Sequence, residues 1–438
     1  MQTLLKQYIN KNYNGERDWF IQEVSQVYNQ QRTNQILDLK QYLSGQHKIL
    51  NKPSYTFNGK EYVPKKIVLQ LAKTMVNFTV SYLLSNPITL TGDETVTKAY
   101  QSVYKRGRYN SIDFDILDKM CKFGFVVETI YIDQNKNIQS KLLDPADSYP
   151  VYDSRSNYIA MIEYYTMDNV DYYTVYTSDT VEEWTNEGGN LKLDATYNNV
   201  SGLPIVYHNQ DEISNLGRSD LLDMIPILDN LEDLISKTTD AYNHYLTGLP
   251  ILTGQQLKGD GLPKDIVSAG LVLEYGSSFD FKSNPFDHKG FESIYKTLSS
   301  TLLDIANVPA VSMSKTDISN LSEVSIRLLF SLADTKGALN AKFMREGMDL
   351  RFDVIRKLLE LKGIKFDDDK FDSFDYHFHF ARPSNDKEVV ENLKILREIG
   401  AMSQESTVED NPYINDAVAE MDRLRSEGSL KIGRKEQI

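Results

Sequence analysis

Cysteine is almost missing from this chain: Cys121 is the only one in 438 residues. Without a second thiol there is no intrachain disulfide framework, so burial and hydrogen bonds must hold the fold, and a reducing place of synthesis is expected. Cys121 itself reads as a small core residue rather than a nucleophile. Long apolar runs are missing too. No stretch of about eighteen apolar residues occurs, so no membrane-spanning helix is expected. The opening MQTLLKQYINKNYNGERDWF also lacks the apolar core of a signal peptide. Basic charge is in short supply: 48 Lys and Arg face 62 Asp and Glu, a net of −14. That balance argues against clamping phosphates on a basic surface, though not against DNA contact of a kind that does not grip. What the chain does have is 41% hydrophobic and 11% aromatic residues. That is enough to bury real cores and to exclude wholesale disorder, over roughly two to four modules.

Catalytic signatures are equally scarce. There is no G-x-x-x-x-G-K-[ST] phosphate cradle, no G-x-S-x-G elbow, no H-E-x-x-H and no C-x-x-C. His377 and His379 share one face of the strand-like FDYHFHF, but no third ligand is spaced nearby, and packing is their expected role. DDDKFD at 367–372 lacks the glycine an EF-hand needs at its sixth position and reads as a solvated turn. A carboxylate-dependent nuclease would need an organised acidic motif, and the many acids form none. Neither an enzyme nor a cofactor or metal site is expected.

Periodicity organises the rest. Trp19, Phe20, Val24, Val27, Tyr28, Leu39 and Leu43 give helical spacing over 18–43. A second helix is expected over 64–85, with Pro64 in its first turn and Asn86–Pro87 as its stop, and a third over about 97–122. From Phe125 the period drops to two. FVVETIYI, IQSKLL, YIAMIEYYT, VDYYTVYT, TVEEWT and LKLDA read as an antiparallel meander of about six strands, and LPIVYH adds another. Residues 18–210 therefore read as one α+β module.

Residues 217–246 form a long amphipathic pattern (Leu221, Ile225, Leu228, Leu231, Ile235, Thr238, Tyr242, Tyr245), with Pro226 as a kink or second start. Six acids (Asp220, Asp223, Asp229, Glu232, Asp233, Asp240) oppose Arg218 and Lys237 there, a net of −4. Such a run is ordinarily a solvated face. Repeated around a ring, it could instead make a negative wall past which DNA slides. Residues 248–286 break into LPILTG, LVLEYG and FDFKSN, and a helix over 288–307 stops near Val308–Pro309. A loop of small polar residues follows. Asn320 and Glu323 then pair as a capping box for a helix reaching about Lys362, with Gly363 beyond it. FDYHFHF is a strand, and 385–427 reads as a helical hairpin with a cap at Ser403.

The order of these elements resembles the portal proteins of tailed bacteriophages, in the siphophage-type branch of Gram-positive hosts. KKIVLQLAKTMVNFTVSYLLSNPITL is similar to the family's N-terminal helix, and VVETIYID, LLDPADSYPVYD and YIAMIEYY to its wing strands. GRSDLLDMIPILDNLEDLISKTTDAYNHY resembles the first stem helix. LLDIANVPAVS followed by NLSEVSIRLLFSLADTKG resembles the second stem helix, tunnel loop and long helix. EIGAMSQESTVEDNPYINDAVAEMDRL is similar to the crown.

The resemblance implies an α+β portal fold with an α/β wing, long stem helices, a small clip of short strands and a helical crown. It divides the chain into N-terminal helices and wing (1–216), first stem helix (217–247), clip (248–287), second stem helix (288–308) and tunnel loop (309–321). A long wing helix with its return strand (322–383) and a crown with C-terminal tail (384–438) complete it. The implied assembly is a homo-oligomeric ring, a dodecamer, at one capsid vertex of a virion made in the host bacterial cytoplasm. Double-stranded DNA is packaged, retained and ejected through its channel. The implied partners are the packaging terminase motor, the head–tail adaptor and the major capsid and scaffolding proteins, with no membrane and no cofactor.

Three sets of residues acquire implied roles. Ser312, Met313, Ser314, Lys315, Thr316, Ser319 and Asn320 would form the tunnel loop, Lys315 being the cation placed to touch a phosphate. A loop this long between two helices is more often functional than idle. Asp229, Glu232, Asp233 and Lys237 would line the channel wall, or else lie on the outer stem or between subunits, since periodicity marks the apolar face alone. Thr253, Gln255, Lys258, Lys264 and Glu274 would belong to the clip that docks motor and adaptor. The competing class is a head–tail adaptor or minor capsid protein without a DNA channel.

Overall fold

The computed structural model describes residues 2–57, 60–211, 216–246, 249–254, 275–282, 287–310, 322–414 and 417–427. The chain opens with α1 (Gln2–Tyr13), α2 (Trp19–Val24), α3 (Val27–Leu43), the hairpin strands β1 (Tyr55–Phe57) and β2 (Lys60–Tyr62), and α4 (Leu71–Leu84). Then come β3 (Thr89–Thr91), α5 (Glu94–Gly107), α6 (Tyr109–Phe123), β4 (Phe125–Ile132) and β5 (Ile138–Leu143). The meander is β6 (Ser148–Tyr152), β7 (Tyr158–Met167), β8 (Val170–Tyr176), β9 (Thr180–Thr185) and β10 (Lys192–Asn198), followed by β11 (Ile205–His208). The second half holds α7 (Leu221–Leu246), β12 (Leu249–Thr253), β13 (Ser278–Lys282), α8 (His288–Ile305) and α9 (Glu323–Leu361). It closes with α10 (Asp368–Asp372), β14 (Asp375–His377), α11 (Asp386–Glu398), α12 (Gln404–Glu409) and α13 (Ala417–Ser426). This mixture of helix and antiparallel sheet is the α+β class expected.

Two compact units emerge, each assembled from separate segments. The first comprises Met1–Val76, Lys119–Val127 and Leu143–Ala306. Its sheet is a five-stranded antiparallel meander in the order β10-β9-β8-β7-β6. Alternation puts Ile162, Tyr164, Tyr173, Val175 and Trp184 toward one face, where α1 and α2 bury Leu5, Tyr13, Trp19, Phe20 and Val24 against it. Phe20 meets the rings of Tyr173 and Trp184 at 5.2 and 5.3 Å. Glu23 is fully buried beneath them, its carboxylate accepting from the hydroxyls of Tyr8, Tyr13 and Tyr28. The helix expected over 18–43 is interrupted at residues 25–26 between α2 and α3.

The second unit comprises Asn77–Asp118, Glu128–Leu142 and Asn307–Ile438. Its axis is α9, 39 residues long and therefore about 58 Å. Ser322 caps it, the Oγ accepting from Ser325 N at 3.3 Å, so the cap is two residues later than the expected Asn320. Beyond its last turn Gly363 takes φ +86°, a left-handed turn that glycine adopts without strain. The buried face of α9 carries Ile326, Phe330 and Ala333 against Tyr82, and further along Arg351, which has no exposed surface. The Arg351 guanidinium donates to Glu128 (2.9 Å), Asp113 and the Tyr104 hydroxyl. Burial pushes the Asp113 carboxyl up, and the facing Arg351 opposes that shift. The helix expected over 97–122 is two, because Arg108 takes φ +55° between α5 and α6.

Candidate functional site

Asp229, Glu232, Asp233 and Lys237 of α7, with Thr253 at the end of β12, are the expected site residues that fall among the described residues. The helix starts at Leu221 rather than 217 because the preceding residues are committed elsewhere. Gly217 (φ +77°) lies so close to Gly124 and Asn209 that a Cβ there would come within 2.3 Å of the Gly124 carbonyl oxygen. Ser219 Oγ then accepts from Leu221 N at 3.1 Å and donates to Lys122 O at 2.6 Å, fixing the first turn. Pro226 sits inside the helix without ending it. Leu221, Met224, Leu228 and Leu231 are buried, so the apolar stripe is enclosed, and α8 packs alongside α7.

The polar side of α7 holds what the sequence reading missed. Residues 65–69, expected as the first turns of a helix, form neither helix nor strand, and α4 begins only at Leu71. Their alternate amides are each taken by an α7 side chain. Leu69 N donates to Glu232 Oε1 at 2.7 Å, Ile67 N to Ser236 Oγ at 3.1 Å and Lys65 N to Asp240 Oδ2 at 2.9 Å. The spacing explains the match. Four helical residues rise about 6 Å and two extended residues about 6.6 Å, so acceptors at every fourth position keep step with donors at every second. With its amide held by Glu232, Leu69 cannot close the bond to the Lys65 carbonyl that a helix starting at Pro64 would need. The only signal in the sequence is the recurrence of Glu232, Ser236 and Asp240 every four residues.

Each expected wall residue can now be placed. Glu232 has no exposed surface; its Oε1 also lies 2.6 Å from His47 Nδ1, and the His47 ring stacks on Tyr42 at 3.8 Å. It is enclosed by its own chain and presents no charge to a lumen. Asp229 is half-buried, with Oδ1 lacking a hydrogen-bond partner; burial pushes its carboxyl up, opposed by Lys48 and His47. Asp233 is held between Lys52 and Lys237, the latter at 2.7 Å, and the Lys237 side chain is 70% exposed. Of the clip residues, Thr253 is exposed at the end of β12, opposite Ser278 of β13. Gln255, Lys258, Lys264 and Glu274 lie outside the described residues, as do Ser312, Met313, Ser314, Lys315, Thr316, Ser319 and Asn320. The loop's flanks are described: α8 ends at Ile305, Val308 is buried, and Ser322 caps α9. His377 and His379 meet threonine hydroxyls of β3, with His379 Nε2 2.8 Å from Thr89 Oγ1.

Residues 24–432 match the family described as phage portal protein, SPP1 Gp6-like. A curated relative, the portal protein of Bacillus phage SPP1, is 21% identical over 391 residues, covering 81% of this chain and 74% of its own. Among solved structures, one described as the neck of an empty GTA particle computed with C6 symmetry aligns with 76% of this chain and 87% of its own. That alignment has a TM-score of 0.45 and 9% identity. The family match spans nearly the whole chain, and the chain belongs to the SPP1 Gp6-like phage portal proteins.

Proposed function

We propose that this portal protein assembles into a ring at one capsid vertex and gives double-stranded DNA its passage during packaging, retention and ejection. The observation that carries the reading is the family match over residues 24–432. The order of α7, the paired strands β12 and β13, α8, a junction and the long α9 fits it. In this reading α7 and α8 are the stem, β12 and β13 belong to the clip that docks the terminase motor and then the head–tail adaptor, and residues 309–321 form the tunnel loop. The ring is a dodecamer, and major capsid and scaffolding proteins surround it. The protein is a structural part of the virion rather than a catalyst.

The placement of the α7 acids narrows the channel-wall assignment. Glu232 is withdrawn from it, and of the four residues expected on the wall the exposed Lys237 and the partly exposed Asp229 and Asp233 remain able to meet solvent or DNA. Electron microscopy of the purified full chain tests the reading. A ring with a central opening is expected, and a compact monomer at every protein concentration would overturn it in favour of a minor capsid or adaptor protein.

A further inference from the structure

A cleft of about 310 Å³ opens in the second unit, between the chain that follows α4 and the first turns of α6. Leu84, Ile88 and Phe114 give it an apolar side, with 36% of Phe114 exposed. Asn86, Asn110 and Ser111 add amide and hydroxyl oxygens. Its charged groups are both acids, Asp113 and the exposed Asp115, and no lysine or arginine is among the described residues that line it.

Asp113 is the informative member. It is only 2% exposed, yet it forms part of the cleft wall. Its Oδ1 accepts from the Arg351 guanidinium, whose Nε donates to Glu128 Oε2 at 2.9 Å. One guanidinium therefore serves two carboxylates. The other oxygen of Asp113, Oδ2, accepts no hydrogen bond from the described residues. Burial pushes this carboxyl up, Arg351 opposes the shift and Glu128 adds to it. An enclosed carboxylate that shares its cation is stabilised by a second one. The cleft is the side from which that cation can arrive.

We propose that the cleft binds a free aliphatic diamine, with one ammonium at Asp113 and the other left to meet the exposed Asp115. The lining selects that class. An ammonium brings three donors for the carboxylate, amide and hydroxyl oxygens, and the face of Phe114 attracts a cation. The methylenes of the ligand would lie along Leu84 and Ile88, which a bare metal ion would leave unused. Among the described residues, moreover, no group of three or more His, Cys, Asp or Glu is arranged to hold a metal. The volume lies at the low end for small-molecule sites, which suits a chain of a few carbons.

Calorimetric titration of the full-length protein with 1,4-diaminobutane tests the site. One diamine per chain is expected, while 1,4-butanediol, neutral and of equal length, should give no saturable heat. Asp113→Asn should weaken the diamine by at least about tenfold. That change also takes a partner from Arg351, so a second variant is needed. Asp115→Asn combined with Phe114→Ala alters exposed positions only, and about the same tenfold loss is expected. If Asp113→Asn does not fold, the double variant decides. No saturable diamine binding would overturn the site, and so would a diol that binds as well. Binding that the double variant leaves unchanged is diffuse attraction to a chain of net charge −14, and overturns it equally. A lysine side-chain mimic, the acetylated methylamide of lysine, that binds at least about tenfold more tightly than the diamine would overturn the free amine in favour of a protein lysine.

Discussion

A carboxylate with no exposed surface needs donors to replace its lost water, and Glu232 has the Leu69 amide with His47 beside it. Its neighbour Leu231 is equally buried for the opposite reason, as part of the apolar stripe. Leu231→Ala should cost about 2–5 kcal/mol through lost burial and the cavity left behind. Glu232→Gln should cost about 1–3 kcal/mol, because a neutral amide accepts less strongly and brings a buried NH2 with no acceptor prepared for it. Asp233→Asn, at a pair about one-third exposed, should cost under about 1 kcal/mol. Thermal melts of the full chain rank the three; a Glu232→Gln variant as silent as Asp233→Asn would mean the buried contacts are not made. Asp147 offers a pH-dependent counterpart. Burial, with Asp144 adding to it, raises its carboxyl from 3.8 to about 6. A raised folded-state value means that the folded chain holds this proton more tightly than the unfolded one. The contribution is fully present below pH 3.8 and is lost as pH rises through about 6. Asp147→Asn should therefore match the natural protein near pH 3 and exceed it by on the order of 1 kcal/mol at pH 8, allowing for screening of a half-buried group. A difference that widens toward low pH would reverse the assignment.

Among elements, the segment over 65–69 shows where sequence patterning stops being sufficient. IVLQLAK carries the same apolar spacing as the α4 helix it leads into, so periodicity alone extends the helix back to Pro64. What overrides it is tertiary: three acceptors one helical turn apart on α7. Strands β7 to β10 of the meander and the long helices α7 and α9 were legible because burial of one face imposes its period on many residues in succession. By contrast, β4 and β5, expected in the same meander, pair with β11 in a separate sheet, and β6 takes the edge beside β7. A single buried contact such as Glu232 with His47 joins positions 185 apart in the chain and leaves no local trace. Charge counting placed Glu232 among exposed acids for that reason. The ladder itself is testable. Ser236→Ala with Asp240→Ala should leave α7 helical, since alanine favours helix, while freeing the amides of Ile67 and Lys65. Hydrogen exchange at those two should rise by about fivefold for each roughly 1 kcal/mol bond lost, with Leu69 still protected by Glu232. Equal loss of protection at all three would show the segment opening as one unit.

For the molecule as a whole, family membership was legible because it rests on the order of elements, and that order survives local errors of a few residues at each boundary. The tunnel-loop assignment rests on the same order, and the described flanks give it physical content. α8 closes on its own cap at Ala306, and buried Val308 and Pro309 anchor the chain after it. On the far side, Ser322 caps α9, its Oγ accepting from Ser325 N. Glu323 is held from elsewhere in its unit, accepting from Asn385 N at 3.2 Å and from Arg327 at 3.2 Å. Each helix end is thus satisfied by groups outside the segment between them. Removing residues 313–319 takes away Met313, Ser314, Lys315, Thr316, Asp317, Ile318 and Ser319 and should disturb neither helix. The expected outcome is a ring of unchanged size by size-exclusion chromatography and a fall in nuclease-protected DNA per particle, because the segment proposed to touch the duplex is gone. If the ring itself is lost, the segment is a structural joint between subunits. If rings persist and package normally, DNA is guided by the stem alone, and the exposed Lys237 becomes the cation to change next.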